Sequence, residues 1–312
     1  MILKDLSSSE LSDHLSTAGI ALDFGSFRVN LRTDIEELTE ALTQLYSGFP
    51  VETEPAICDF FVRIGAPSRL RKFIRPKVSA YIDNLDPFAP MPRDLAFPLF
   101  ESTLNWCVAS DIARYLLLHA AVMSRNGRAA IFPAPSGTGK STLSALLSLA
   151  GWRLLSDEFA ILTAEDGRLR ASPRPISLKN ESIDIIAEAG GAGRLSRKYE
   201  GTIKGTLAYL RTEGPSLEEM EQACVPALVI FPSFKSGASL KVEPMEKSEA
   251  FMRLIDNAVN YLLLGRTAFL TLTSVVERCG IYHLEYGDSD EAIATLEALL
   301  DAGKPPTERV SA

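Results

Sequence analysis

A mixed α/β fold is what this 312-residue sequence predicts for its larger part, on three observations. From Leu116 onward, apolar runs of strand length alternate with runs of helical apolar spacing, the pattern of a sheet covered by helices. In LLLHAAVMSRNGRAAIFPAP, Asn126-Gly127 separates two apolar runs and is a strong hairpin signal. A glycine-rich turn then joins the second run to an amphipathic helix. At roughly 150 residues per domain the length suggests two domains. Residues 116–312 carry the α/β pattern, and 1–115 read as a smaller α+β region.

In the first region a polar helix and the strand FRVNL precede a helix over 34–46, where Ile35, Leu38, Leu42 and Leu45 share a face. CDFFVRI (58–64) reads as a buried strand. Pro87, Pro90, Pro92 and Pro98 make 86–98 an irregular connector, and a helix over about 100–115 closes the region. The second region continues past the hairpin with a helix over 140–150 and one strand over 152–162. An Asp166-Gly167 turn, a helix near 181–189 and a core strand over 224–232 follow. Helices over 247–264 and 266–278, a strand over 281–286 and a last helix over 289–301 complete it.

Composition narrows the function classes. With 46% apolar and 23% charged residues the chain is ordinary globular material. A net charge of −8 gives no bulk attraction to polyphosphate, so nucleic-acid binding is not expected. Cys58, Cys107, Cys224 and Cys279 form no CxxC pair, which removes zinc-ribbon and redox spacings and predicts reduced, mostly buried thiols. The first residues lack a secretion-signal pattern, and the most apolar stretch, Tyr115 to Val122, is far below the roughly 20 residues of a membrane span. A cytoplasmic protein is expected.

The glycine-rich turn carries the chemistry. Ala134, Pro135, Ser136, Gly137, Thr138, Gly139, Lys140 and Ser141 fit a phosphate-binding loop, with Thr142 following. Gly137 and Gly139 permit backbone that turns successive N–H groups onto phosphate oxygens. Lys140 places a cation at the β- and γ-phosphates of a nucleoside triphosphate, the Ser141 hydroxyl can ligate Mg²⁺, and the helix that begins there adds its positive dipole end. ATP and Mg²⁺ are therefore the expected cofactors. Directly after this helix, Leu154-Leu-Ser-Asp-Glu158 supplies Asp157 and Glu158. One carboxylate can reach the metal and the other can accept a proton from an acceptor hydroxyl.

His119, the loop SGTGKS and the segment GWRLLSDE, at their spacings, resemble the HPr kinase/phosphorylase family. SLKNES (177–182) and KGTLAYL (204–210) look like its HPr kinase-related "kinase A" group. The resemblance implies a phosphate-loop kinase domain of the HPr kinase/PEP carboxykinase type with a mixed sheet. It implies Asp157 as proton acceptor, with His119 orienting it, Lys140 on the γ-phosphate, and the metal on Ser141, Glu158 and Asp157. Glu158 stands where that family usually has a second aspartate. HPr kinases assemble into rings, which implies self-association.

The expected function is transfer of the γ-phosphoryl of MgATP to a hydroxyl, first of all serine in a peptide or protein. A small-molecule hydroxyl kinase and a non-catalytic nucleotide-binding scaffold are the alternatives. The basic, glycine-rich segment 190–205, with Arg194, Arg197, Lys198 and Lys204, reads either as a mobile lid over the transferring group or as a solvated loop.

Overall fold

The computed structural model describes residues 1–110, 114–135, 137–164, 166–212, 220 and 222–302. They form two compact units: Met1–Ser110 with Ser172–Glu221, and Asp111–Ala171 with Gln222–Ala312. The first crossing falls near the expected boundary at 115. The expectation of one continuous domain over 116–312 is corrected, because Ser172–Glu221 belongs with the amino-terminal unit.

The amino-terminal segment contains α1 (Ser8–Ser16), β1 (Ile20–Asp23), β2 (Arg28–Thr33), α2 (Glu36–Leu45), β3 (Val51–Glu52), β4 (Phe60–Gly65), β5 (Lys77–Ile82), β6 (Met91–Pro92) and α3 (Ala96–Ser110). Next come β7 (Tyr115–Arg125), β8 (Arg128–Pro133), α4 (Lys140–Leu149), β9 (Arg153–Ser156), β10 (Phe159–Thr163) and β11 (Leu169–Arg170). The segment that returns to the first unit holds β12 (Ile176–Lys179), α5 (Glu181–Ile186), β13 (Tyr199–Thr202) and β14 (Gly205–Leu210). The last holds β15 (Val225–Phe234), β16 (Lys241–Pro244), α6 (Lys247–Asp256), α7 (Tyr261–Leu264), α8 (Arg266–Arg278), β17 (Gly280–Tyr286) and α9 (Ser289–Ala302).

In the first unit a six-stranded sheet runs β3-β1-β2-β4-β5-β6, and a second sheet runs β12-β14-β13. Local signals set the early elements. Ser7 caps α1 by accepting from the Glu10 amide while the Glu10 carboxylate accepts from the Ser7 amide, a reciprocal capping box. Leu38, Leu42 and Leu45 of α2 are buried as their spacing predicts. Helix α3 starts four residues before the expected Phe100, with Pro98 in its first turn, where a missing N–H costs nothing.

What ties 172–221 into this unit is long-range. The Phe97 ring meets Tyr209 edge-on at 4.8 Å and stacks on Tyr199 at 6.1 Å. Beside these rings Arg174, 6% exposed, donates from Nη1 to Glu101 Oε2 at 3.2 Å and from Nη2 to Asn105, while the Tyr46 hydroxyl donates to the other Glu101 oxygen. Burial, and then the Glu101 carboxylate, push the Tyr46 phenol well above its usual range. The basic segment is part of this unit as well. Arg194 donates to the Arg211 carbonyl, Arg197 to that of Asp94, and Lys198 pairs with Asp184 at 2.8 Å.

The second unit is built on an eight-stranded mixed sheet, β11-β10-β7-β8-β15-β17-β16, with β9 also on β7. Strands β8, β15 and β17 are parallel, and β7 is antiparallel to β8. Asn126 and Gly127 take φ of 53° and 74°, the paired left-handed conformations of a tight primed turn. Leu116, Leu118, Ala120 and Val122 of β7 pack with Ala250, Leu254, Leu272 and Val275 from α6 and α8. The alternation leaves His119 on the opposite face, which α4 covers.

Two expected elements are broken. The single strand over 152–162 is two strands with Asp157 and Glu158 in a bend between them. The helix over 247–264 stops at Asp256, and residues 257–260 lie along β7 instead. There Asn260 Oδ1 accepts from the Leu117 amide at 3.0 Å, and the His119 amide donates to the Asn257 carbonyl at 2.7 Å. Among the described residues no helix is long and apolar enough to cross a membrane. Cys107, Cys224 and Cys279 are buried and Cys58 partly so, and burial pushes the Cys107 and Cys279 thiols up to about 12.

Removing one partner of a buried ion pair strands the other, a loss of about 3–5 kcal/mol. Arg174→Ala and Glu101→Ala should each lower stability by that order in urea unfolding. The double variant should lose clearly less than the sum.

Candidate active site

The site begins where β8 hands over to α4. Ala134 is buried at the end of the strand, Pro135 and Gly137 are exposed, and Ser136 lies outside the described residues. Thr138 Oγ1 donates to the Pro135 carbonyl at 2.9 Å, and the Gly139 carbonyl accepts the Leu143 amide at 2.9 Å to start the helix. Gly137 and Gly139 have φ of 92° and 88°, the left-handed region that side chains resist. Their surroundings differ. A Cβ at Gly137 would meet nothing within 4 Å. At Gly139 it would stand 3.3 Å from Phe234 Cβ and 3.7 Å from the Tyr286 hydroxyl. The first glycine therefore leaves open space over the loop backbone, and the second lets the helix start pack against its neighbours.

Lys140 opens α4 and is only 6% exposed. Its Nζ lies 3.2 Å from His119 Nε2. An ammonium has donors only, so Nε2 is the acceptor and the ring proton sits on Nδ1, which lies 4.0 Å from Glu158 Oε2. One residue further along α4, Ser141 Oγ donates to Asp157 Oδ2 at 3.1 Å. Asp157 is 7% exposed. Thr142 is half-buried in the same first turn.

The broken strand brings these groups together. Strand β7 pairs with β10 through His119↔Phe159 and with β9 through Val122↔Ser156. The bend at 157–158 faces the two β7 residues between those pairings. An unbroken strand would alternate the two carboxylates to opposite faces. The bend instead directs Asp157 to Ser141 and Glu158 to His119, while the Ser156 hydroxyl accepts from the Phe159 amide at 3.3 Å.

All the described candidate residues thus lie in the second unit around the start of α4. His119 Nε2 meets Lys140, and Glu158 stands 4.0 Å from the other side of the imidazole. Phe234 and Tyr286, at the carboxyl ends of parallel strands β15 and β17, were not legible as site residues. Their rings meet at 5.5 Å beside Gly139, and burial pushes the Tyr286 phenol up to about 12, so it remains a neutral donor. The carboxyl edge of parallel strands is where α/β sheets place ligands.

This arrangement offers an oxyanion backbone N–H groups, a helix dipole and a buried ammonium at one point. Among the described residues no group of three or more His, Cys, Asp or Glu side chains is placed to hold a metal alone. Ser141 Oγ and Asp157 Oδ2 are two hard oxygen donors side by side. That suits Mg²⁺, which is ordinarily held by one or two protein oxygens together with phosphates. No protein-family model matches this chain, and no curated protein matches it significantly.

The two glycines should separate in mutants. Gly139→Ala meets both a strained φ and packed neighbours, so stability should drop by about 1–3 kcal/mol in thermal or urea unfolding. Gly137→Ala carries the backbone strain without a steric clash, and its Cβ would occupy the space above the loop. Its loss of stability in the same experiments should be smaller than that of Gly139→Ala.

Proposed function

We propose that the second unit is a phosphate-loop kinase that binds MgATP and transfers the γ-phosphoryl group to a hydroxyl. The acceptor is serine of a peptide or protein, as the resemblance to HPr kinases and their kinase A relatives implies. One observation carries the reading: the buried Lys140 and the Ser141–Asp157 hydrogen bond converge on the loop-to-helix junction after β8. A scaffold that only binds nucleotide has no use for a buried carboxylate against the loop hydroxyl.

In this reading the loop amides and the α4 amino terminus hold the β-phosphate, and the Lys140 ammonium holds γ-phosphoryl oxygens. His119 accepts from Lys140 and fixes where Nζ stands, with the Glu158 carboxylate 4.0 Å from the imidazole. Ser141 and Asp157 would hold Mg²⁺, which when bound neutralises charge gathering on the leaving phosphate oxygen. The acceptor hydroxyl gives its proton to Asp157 as its oxygen forms a bond to the γ-phosphorus. The bond from that phosphorus to the β,γ-bridging oxygen breaks, and ADP leaves. Most of the rate comes from positioning and from charge already in place.

Phosphoryl transfer from γ-labelled MgATP into serine peptides, proteins and free hydroxyl metabolites tests this. Lys140→Ala should abolish transfer and weaken nucleotide binding. Asp157→Asn should bind nucleotide but transfer at least about 10²-fold more slowly, the scale of general-base catalysis. An unimpaired rate in Asp157→Asn removes its role as proton acceptor. Label only in metabolites reassigns the acceptor, and no label with nucleotide binding intact overturns the kinase reading.

A further inference from the structure

The outer face of the six-stranded sheet in the first unit carries charge in an arrangement the fold alone does not favour. Strands β2 and β4 are parallel, and their register sets Arg32 directly opposite Arg63, both exposed. Like charges facing each other across adjacent strands are destabilising. The two line a cavity of about 410 Å³ with Arg69 and Lys72, against the one carboxylate of Asp34. They also line an adjoining cavity of about 530 Å³, where Asn30 and Tyr81 stand with the carboxylates of Glu54 and Asp83, so the excess of cations belongs to the first cavity. The whole chain carries 40 acidic residues against 32 basic ones, so this excess of cations runs against its own composition.

The cations are only partly satisfied from within. Lys72 pairs with Asp34 at 2.6 Å, Arg32 donates to the Thr17 carbonyl, and the Arg63 guanidinium lies 3.9 Å over the Tyr81 ring. Among the described residues the Arg69 side chain makes no ion pair or hydrogen bond, and no carboxylate is paired with Arg32 or Arg63. Stacking on Tyr81 orients the Arg63 guanidinium without neutralising it, and its planar fork of donors matches a phosphate or carboxylate. A phosphate monoester carries about −1.5 to −2 at pH 7 on one small group, more than a carboxylate. It therefore matches a cavity with four cations and one carboxylate best. The turn that carries Arg69 and Lys72 also exposes Leu70, Phe73 and Ile74.

We propose that this cavity is a binding site for a phosphate-class anion, gripped between the Arg32 and Arg63 guanidinium groups with Arg69 and Lys72 beside them. The phosphate belongs either to a soluble compound or to the headgroup of an anionic phospholipid, whose acyl region the exposed Leu70, Phe73 and Ile74 would meet. The site lies in the first unit and does not depend on the kinase reading.

The test uses the full chain carrying Lys140→Ala, so that the phosphate loop does not contribute. Pyrophosphate is titrated by calorimetry, and vesicles of phosphatidylcholine with and without phosphatidic acid are co-sedimented with the protein. Binding to at least one probe is expected, weakening as salt rises. Arg63→Gln and Arg69→Gln added to this background should each lower the affinity, Arg63→Gln by about tenfold or more. Ligand-free Arg69→Gln should unfold at an unchanged Tm or one about 1–3 °C higher, since it loses no partner and relieves repulsion. A structural arginine would instead lower the Tm. Pyrophosphate binding identifies a soluble phosphate, and binding only to phosphatidic acid vesicles identifies a lipid headgroup. No binding to either probe, or binding that both arginine variants leave unchanged, overturns the proposal. Should Arg63→Gln fail to fold, Arg69→Gln carries the comparison.

Discussion

A lysine ammonium buried in the first turn of a helix is the constraint on which the second unit depends. The amino end of a helix is already positive, so a cation there has the wrong sign, and removing it from water adds a desolvation cost. Lys140 is nevertheless 6% exposed. Three features make it tolerable: the His119 lone pair at 3.2 Å, and the negative charges of Asp157 and Glu158 in the adjoining bend. Each demands something of the fold. His119 must point to the α4 face of β7, and the strand after α4 must break where it does. Residues 257–260 must lie along β7, so that the backbone beside His119 is hydrogen bonded on its outer side.

The first unit handles buried charge differently. Arg174 and Glu101 are almost as inaccessible as Lys140, but they meet each other, with Asn105 and Tyr46 taking further bonding positions. The result is an ion-paired arrangement that fastens 172–221 to α2 and α3. The Phe97, Tyr199 and Tyr209 rings around it supply apolar contact that the ionic groups alone do not. A chain that leaves a unit and returns some sixty residues later needs such a fastening, because neither segment closes the core alone.

Much of this was legible in the sequence where the signal is local. Asn126-Gly127 specifies a tight turn by its own backbone preference, and the loop into α4 needs its glycines wherever it occurs. The Ser7–Glu10 cap is written in four residues. The misses share the opposite property. Leu154 to Ile161 is apolar enough to read as one strand, and only the pairing of β7 with two partners reveals the break at Asp157-Glu158. Similarly, 247–264 has helical spacing throughout, but Asn257 and Asn260 gain more by bonding the β7 backbone than by continuing the helix. Phe234 and Tyr286 reach Gly139 only because parallel pairing aligns the ends of β15 and β17. The opposition of Arg32 and Arg63 likewise exists only once β2 and β4 pair in parallel.

The charges of this protein sort by one physical criterion. Where a buried charge meets an opposite charge within its own unit, as Arg174 meets Glu101, removing the partner damages the fold. Elsewhere the fold orients a cation through an uncharged group. Lys140 is oriented by an imidazole at 3.2 Å, with the carboxylates of Asp157 and Glu158 in the adjoining bend. Arg63 is oriented by a tyrosine ring, which offers a π face and no full charge. Both arrangements hold a cation in position at some expense of stability, as local violations at functional sites generally do. In both proposals the group that would meet the cation is an anion with several oxygens. Under the two proposals, the glycine-rich loop before α4 and the arginine pair on the β2–β4 face are two versions of one solution, reached on different sheets by different local chemistry.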